Sequence, residues 1–419
     1  MGMEQALSGL TGASQNLDVI GNNIANASTI GFKLSRAQFA DMYASMVGGS
    51  GSNQIGIGTQ VTMVASQFTQ GNILTTGNPL DVAINGGGFF RELSNGAISY
   101  SRDGQFEVNS QGYITNSLGA QVTGYPADAA GLVSNAPPVP LQLSQAPVQP
   151  KATTGVNVVL NLDSTSSVPP TSPFSAANSN TYNSSTSVTA YDSLGNAQTL
   201  SLYFVKTAAN SWNVYATDAS GTPTAFSTSV APATSVPITF STSGTLSSNP
   251  LLGNVTLTPL GAAPLTMAIS LAPPAGSTSS AVTTQFGVPF AVSSNVQDGF
   301  TTGQLAGYSI AKDGTISGRY TNGQTRALGQ VCLANFVDPQ GLVAQGGNMF
   351  AESADSGAPV VGVPGSGTFG SLQSGALEQS TVDLTKELVN MIEAQRVYQA
   401  NAETVKTQDQ VQQTLMNLR

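Results

Sequence analysis

The stretch of sequence that decides the fold is LDVIGNNIANASTIGFK, residues 17–33. It completes a segment in which apolar side chains recur every three or four residues, the pattern of one face of an amphipathic helix. The members of this first stripe are Leu10, Ala13, Leu17, Ile20 and Ile24. A helix of this kind must bury its stripe, and the neighbouring sequence offers it no partner.

The same stretch ends in a cluster of asparagines. Asn22, Asn23 and Asn26 carry short amide side chains, which hydrogen-bond to nearby backbone and favour helix ends and turns. Gly31 then breaks the helical pattern, and Phe32 follows it. The sequence therefore predicts a helix that ends in a turn held by its own side chains.

The far end of the chain mirrors this beginning. Residues 380–419 predict one long helix, with Ser380 or Thr381 as its N-cap and Asp383 in the first turn, where a carboxylate suits the helix dipole. Its apolar stripe contains Leu384, Leu388, Met391, Tyr398, Ala402, Val405 and Leu415. Isolated helices are marginal in water, so the two ends are predicted to pack on each other and on neighbouring molecules, ordering on assembly.

Between the helices, short alternating apolar runs separated by turn residues predict β-hairpins. Residues 71–145 and 286–362 are expected to form one β-rich body, and residues 146–285 an inserted outer β domain. Residues 1–70 and 363–419 would form a helical polymerisation domain in which the long terminal helices pair as a coiled coil. The predicted fold class is therefore α+β and multidomain, with two mainly β domains nested by insertion.

Two details of the middle region qualify this division. The Pro-rich stretch NAPPVPLQLSQAPVQP, residues 135–150, is interpreted as a linker. No charged residue occurs in residues 219–297, which fits either a β domain or a partly disordered tract. Recurrent Ile, Leu, Val and Phe favour the β domain.

Composition excludes several classes of function. Only 8% of the 419 residues are charged and the net charge is −9, so no basic patch for nucleic acid is expected. There is no His, which removes the commonest general base and metal ligand. The single Cys332 lies in the apolar run LGQVCLANF and is predicted to be a buried, unreactive thiol. No catalytic constellation, cofactor motif or metal site emerges, so we expect no enzyme and no cofactor.

The chain also carries no membrane or secretion signal of the usual kind. No apolar stretch of about 20 residues is present, so no membrane insertion is expected. The N-terminus lacks a basic region followed by a continuous apolar core. If the protein is exported, the route leaves its N-terminus uncleaved.

Both ends of the chain resemble a known family. SGLTGASQNLDVIGNNIANASTIGFK, residues 8–33, resembles the N-terminal signature of the bacterial flagellar axial family of rod, hook and hook-associated proteins. GALEQSTVDLTKELVNMIEAQRVYQANAETVKTQDQVQQTLMNLR, residues 375–419, resembles its C-terminal signature. The signature residues carried over by this resemblance are Asn22, Asn23, Asn26, Gly31, Phe32 and Asn401.

Segments of the body carry the resemblance further. PLDVAINGGGFF, YSRDGQF and QVTGYPA, which begin at residues 79, 100 and 121, resemble the hook members of the family. The length of the chain and its insert favour a hook member over a distal rod protein. The resemblance implies a structural subunit that polymerises into a curved, flexible tube transmitting torque from the basal-body rod to the filament.

The resemblance also implies partners and a location. The partners would be further copies of the chain, the rod, hook cap and hook–filament junction proteins, and the flagellar export apparatus. The location would be the extracellular hook of the flagellum, reached by export in an unfolded state without a cleaved signal peptide. A distal rod or hook–filament junction protein is the near alternative. A secreted β-rich adhesin is the alternative of a different class, weakened by the single Trp212.

Overall fold

The computed structural model describes residues 2–42, 56–128, 130–134, 136–227, 232–277 and 281–417. Within these residues the chain forms 2 α-helices, one at each end, and 31 β-strands. It divides into two compact units: unit 1 is Met1–Gln145, Ala306–Arg319 and Thr325–Arg419, and unit 2 is Ala146–Leu305 and Tyr320–Gln324. None of the described helices is long and apolar enough to cross a membrane.

The two helices have the positions that the sequence predicts, and both belong to unit 1. Helix α1 is Gly2–Ala25 and helix α2 is Leu384–Asn417. At 1.5 Å per residue, α2 is about 50 Å long. Residues 26–31 form turns directly after α1, where the asparagine cluster predicts them.

The N-cap of α2 differs from the prediction. The Oδ1 atom of Asp383 accepts hydrogen bonds from the amides of the second and third residues that follow it, at 2.9 and 3.2 Å. Asp383 is therefore the cap, in place of Ser380 or Thr381. The Thr381 hydroxyl instead accepts a hydrogen bond from the amide of Leu34 at 2.8 Å.

The strands are short, and their bounds in chain order follow. The N-terminal part of unit 1 contains β1 (Ser35–Met42), β2 (Gly58–Ser66), β3 (Ile73–Thr75), β4 (Val82–Asn85), β5 (Phe89–Ser94), β6 (Ala97–Ser101), β7 (Phe106–Val108), β8 (Ile114–Asn116), β9 (Gln121–Pro126) and β10 (Val139–Pro140). Unit 2 contains β11 (Gly155–Asp163), β12 (Ser184–Tyr191), β13 (Ala197–Ala208), β14 (Ser211–Thr217), β15 (Pro223–Thr224), β16 (Phe226–Ser227), β17 (Pro232–Ala233), β18 (Ser235–Thr239), β19 (Leu251–Leu257), β20 (Leu265–Ser270), β21 (Thr284–Phe286) and β22 (Ala291–Gln297). The chain then adds β23 (Leu305–Ile310), β24 (Thr315–Tyr320), β25 (Thr325–Val331), β26 (Leu333–Asn335), β27 (Val343–Gly346), β28 (Met349–Ala351), β29 (Val360–Gly362), β30 (Ser371–Ser374) and β31 (Ala376–Glu378).

Unit 1 is built on a 13-stranded sheet with the central order β23-β24-β25-β9-β5-β6-β28-β27. Three two-stranded sheets join it: β1 pairs with β2, β3 with β31, and β4 with β30, all antiparallel. The last two pairs join the segment that precedes α2 to the segment that follows β2, and the Gly31 amide, shortly after α1, donates a hydrogen bond to the carbonyl of Glu378 in β31. The fold therefore places both chain ends at one region of unit 1.

The core of unit 1 includes residues that the sequence placed in a linker. Leu141 and Leu143, from the Pro-rich stretch, are buried beside Phe90 and Ile84. This part of the stretch is not a free linker, because its two leucines help to fill the core. Cys332 is buried as predicted, and burial raises the pKa of its thiol.

Unit 2 is β-structure around one core. A 7-stranded and a 5-stranded sheet contribute to a single cluster of buried side chains that includes Trp212, Leu200 and Phe226. Strand β11 runs parallel to β20 and β21 and antiparallel to β22. The charge-free residues 219–297 contain strands β15 to β22. Where the structure describes this region, it therefore fits the interpretation as a β domain better than that as a disordered tract.

Candidate assembly surface of the terminal segments

The two terminal helices lie against each other in an antiparallel pair. The Asn23 side chain, near the end of α1, donates a hydrogen bond to the Glu387 carboxylate in the first turn of α2, with Nδ2 and Oε2 3.1 Å apart. Near the start of α1, a Cβ added to Gly9 would lie 2.9 Å from the Asn401 side chain. The end of α1 thus lies beside the start of α2, and the start of α1 lies beside a later part of α2. The two helices therefore run in opposite directions.

The surface that each helix buries within the chain is made mainly of small and polar residues. On α1 the buried positions include Ala6 and Ala13, the larger Ile20, and Asn23. On α2 they include Glu387 and Ala394. Small side chains let the two backbones approach closely, so most of the larger apolar residues stay outside this pairing.

Those larger residues form a second line along each helix and remain exposed or half-buried. The α1 stripe, Met3, Leu7, Leu10, Leu17 and Ile24, includes Leu7 at 57% exposure. The α2 stripe, Leu384, Leu388, Met391, Tyr398, Ala402 and Val405, includes Leu388 at 45% exposure. Successive members of both stripes are three, four or seven residues apart, which is the spacing of a coiled-coil seam.

The two stripes share one side of the helix pair. Each helical residue advances about 100° around its axis, and in both helices the stripe lies about a quarter turn from the in-chain contact, in the same rotational sense. Antiparallel helices related in this way carry both stripes on the same broad side. We call this side the open face.

The other side of α1 packs on the β1–β2 hairpin. A Cβ added to Gly12 would lie 3.3 Å from the Phe39 ring, and Ala37 is buried. A groove of about 750 Å³ separates the hairpin from α2, and its α2 wall includes Lys386, Glu387 and Glu393. The closed side is thus partly polar, in contrast with the apolar open face.

Asn23 fixes the hairpin to the helices. Its Nδ2 donates to the Ser35 carbonyl at 2.8 Å, and its Oδ1 accepts from the Ser35 amide at 3.0 Å. The side chain is buried and also contacts Glu387. One asparagine therefore joins the end of α1, the start of β1 and the start of α2.

A buried ionic cluster anchors both terminal segments to the body of unit 1. Lys33 Nζ lies 2.6 Å from one carboxylate oxygen of Glu378, and Arg102 Nη1 lies 3.3 Å from the other. The exposed fractions of these side chains are 1%, 1% and 4%, for Lys33, Glu378 and Arg102. Burial lowers the pKa of Lys33, and Glu378 opposes this effect by favouring the charged ammonium.

Backbone contacts complete the anchor. Gly31 has φ +68°, and a Cβ there would lie 2.7 Å from the backbone of Arg102. Its amide donates to the Glu378 carbonyl at 2.7 Å. The Asn348 side chain donates to the Ile30 carbonyl at 2.8 Å from the β27–β28 turn. Only glycine fits at position 31, because any side chain meets backbone there.

The remaining signature residues have distinct environments. Asn26 donates from Nδ2 to the Asn22 carbonyl at 3.0 Å, which holds the turn after α1, while Asn22 itself is exposed. Phe32 and Asn401 are half-buried. Of the predicted α1 stripe, Ala13 and Ile20 belong to the buried in-chain side. Leu415 lies in α2, but its side chain is outside the described residues.

Sequence reasoning did not single out the ionic cluster. Lys33, Arg102 and Glu378 are far apart in the chain, and nothing in their spacing indicates that they meet. The signal available in the sequence was the rarity of charged residues. Only 8% of the residues are charged, and one of them, Lys33, directly follows Gly31 and Phe32. Gly9 and Glu387 were also missed, because their contacts join segments that are far apart in the chain.

Comparisons with known proteins cover nearly all of these elements. Residues 3–33 match the family described as flagella basal body rod protein, and residues 373–418 match the C-terminal part of the flagellar basal body rod FlgEFG proteins. Residues 83–159 match the D1 domain of the flagellar hook protein FlgE/F/G, and residues 161–300 match the D2 domain of the flagellar basal body protein FlaE. The paired ends and the β-rich body thus define a flagellar rod or hook protein.

Individual relatives narrow the class. The chain is 43% identical to the flagellar hook protein FlgE of Salmonella typhimurium and 42% identical to that of Escherichia coli K12, over the full length of all three chains. The chain belongs to the flagellar hook protein FlgE family and is a structural subunit of the hook. This confirms the predicted family and the preference for a hook member over a rod protein.

A solved structure supports the fold. The crystal structure of Helicobacter pylori flagellar hook protein FlgE2 superposes with a TM-score of 0.51 at 15% sequence identity. The match covers 73% of this chain and all of that one.

Proposed function

We propose that the chain polymerises through the open face of its terminal helix pair into a curved, flexible tube that transmits torque from rod to filament. The observation that carries the proposal is the pair of apolar stripes, one from each helix, on one side of the pair. The in-chain contact uses mainly small and polar residues, which leaves the α1 and α2 stripes available to other subunits as coiled-coil seams.

Burial of the stripe residues is expected to favour contacts between subunits. Full burial of one leucine-sized side chain is worth roughly 1.5–3 kcal/mol. Leu7, Leu384 and Leu388 are about half exposed, so each still has apolar surface to bury. Since both stripes repeat along the helices, several modest gains add up in each contact between subunits.

The outer parts of the subunit are proposed to form the compliant shell of the tube. In this proposal residues 1–70 and 363–419 form the inner polymerisation domain, 71–145 and 286–362 the body, and 146–285 the outer domain. The outer domain carries few charges, and its surface exposes Ser, Thr and Asn side chains. Uncharged hydrogen bonds exchange through water at low cost, which suits contacts that slide as the tube bends.

The proposed partners follow from membership of the family. They are further copies of the chain, and the rod, hook cap and hook–filament junction proteins at the two ends of the tube. The flagellar export apparatus would carry the chain to the extracellular hook without cleavage of a signal peptide.

The test replaces the α2 stripe. The double variant Leu388→Asp with Met391→Asp places two charges on the open face, and polymerisation is expected to be lost because charged groups resist burial. The matched control is Ala400→Asp with Thr407→Asp, which adds the same charge on another side of α2. Electron microscopy and sedimentation under polymerising conditions measure the outcome, and circular dichroism confirms an intact β body. Normal tubes from the first variant would remove the open face from assembly.

A further inference from the structure

Three asparagines in the chain are followed directly by glycine: Asn85, Asn95 and Asn322. In this dipeptide the glycine amide nitrogen can attack the asparagine side-chain carbonyl, because glycine has no Cβ to obstruct the approach. A bond forms between that nitrogen and Cγ, the bond from Cγ to Nδ2 breaks, and ammonia leaves. Water then opens the cyclic succinimide to aspartate or isoaspartate. The reaction needs only water.

Asn95 has the structural freedom that this reaction needs. Asn95 and Gly96 are the two-residue turn between β5 and β6, with φ +51° and +85°. Among the described residues, neither the Asn95 side chain nor the Gly96 amide has a hydrogen-bond partner. A Cβ on Gly96 would meet nothing within 4 Å, so the turn is open to water. The attack requires the turn to relax, and a solvent-exposed turn opens at little cost.

Asn85 lacks this freedom. The Gly86 amide, which would be the nucleophile, donates to Gln70 Oε1 at 2.9 Å. The Asn85 side chain accepts from Gln70 Nε2 at 3.4 Å, and its backbone is paired with Ser371 in the β4–β30 sheet.

Asn322 is held in a similar way within unit 2. Its Nδ2 donates to the Thr301 carbonyl at 2.8 Å, and its Oδ1 accepts from the Gln324 amide at 3.1 Å. The Gly323 amide donates to the Tyr320 carbonyl at 3.0 Å. Both the attacked group and the attacking nitrogen are therefore occupied.

We propose that Asn95 is a site of spontaneous covalent modification, at which the folded subunit converts asparagine to isoaspartate and aspartate through a succinimide. The inference goes beyond assembly and does not depend on it. The product adds a carboxylate to the β5–β6 turn, and isoaspartate also adds a methylene to its main chain. The converted fraction records the age of the folded protein.

The test follows all three asparagines in the full chain. The protein is incubated in mildly alkaline buffer, which favours the deprotonated amide nitrogen, and is sampled over weeks by peptide mapping with mass spectrometry. Asn95 is expected to convert several-fold faster than Asn85 and Asn322. Labelling with a purified isoaspartyl methyltransferase should give one dominant site. In denaturant, where the hydrogen bonds are lost, the three rates are expected to converge.

The matched variants are Asn95→Gly and Asn322→Gly. Glycine accepts the positive φ of the β5–β6 turn, so Asn95→Gly keeps the hairpin while removing the reactive amide. It is expected to abolish most methyltransferase labelling, whereas Asn322→Gly should leave the labelling unchanged. Equal conversion of Asn95 and Asn322 in the folded protein, or an unmodified Asn95, would overturn the proposal.

Discussion

Lys33 and Glu378 come from opposite ends of the chain, and their side chains meet in a buried ion pair of 2.6 Å. Lys33 follows the turn after α1, and Glu378 ends β31 shortly before α2 begins. The pair therefore ties the two terminal helices to one point of the body. Arg102, directly after β6, adds a second basic side chain to the buried cluster, with Nη1 3.3 Å from the Glu378 carboxylate.

Glu378→Gln is expected to destabilise unit 1 strongly. The substitution leaves Lys33 and Arg102 buried without a counter-ion, a change that costs about 3–5 kcal/mol in comparable sites. Chemical denaturation followed by far-ultraviolet circular dichroism measures this loss of stability. The control is Glu403→Gln, which breaks the exposed pair with Lys406 and is expected to have little effect. Similar stabilities for the two variants would contradict the anchoring role.

Gly9→Leu is expected to separate the terminal helices within one chain. A Cβ added at position 9 would lie 2.9 Å from the Asn401 side chain, and a leucine would fill the gap that lets α2 approach. Amide hydrogen exchange on the disassembled protein should then show faster exchange in both helices. Gly21→Leu is the control, because a Cβ at position 21 meets nothing within 4 Å. If α2 exchanged at the same rate in both variants, close approach at Gly9 would not matter.

Glu92 predicts a pH dependence of stability. It is buried in β5, where it accepts hydrogen bonds from Ser101 and Asn116 at 2.8 and 2.7 Å, and burial raises its pKa from 4.5 to about 7. The folded state thus holds this proton more tightly than the unfolded chain does. The free energy of unfolding should fall as pH rises from 4.5 to above 7, by at most about 3 kcal/mol.

Urea denaturation across this pH range measures the Glu92 effect. Glu92→Gln mimics the protonated carboxyl and should flatten the profile, whereas Glu107→Gln, at an exposed position of β7, should leave it unchanged. A profile that kept its slope without Glu92 would assign the effect to another group.

Removal of unit 2 is expected to change the shape of the polymer and not its formation. The backbones of Val148 and Gly303 are hydrogen-bonded to each other at 2.8 and 3.2 Å, so the chain enters and leaves the unit at adjacent positions. A short Gly-Ser linker in place of residues 149–302 should therefore be tolerated. The tubes should be straight or lack a regular supercoil in electron micrographs, because the variant would lack the contacts proposed between outer domains. Normally curved tubes, or no tubes, would contradict this role.

The sequence by itself determined the two helices, their apolar stripes and the turn after α1. These features depend on local periodicity and on the hydrogen bonding of neighbouring residues, as in the Asn26 to Asn22 contact. Long signature segments at both ends also pointed to the family. Local patterns were sufficient because each of these features lies within a few turns of helix.

Only the tertiary structure decided which side of each helix is buried. Periodicity could not separate the in-chain contact through Ala13 and Ala394 from the exposed stripe, since both surfaces have the same spacing. It also could not bring together Lys33, Arg102 and Glu378, or assign the cap of α2 to Asp383 once Thr381 was bonded to Leu34. These outcomes depend on contacts between distant segments, where burial and competition for hydrogen bonds choose among residues that are locally equivalent.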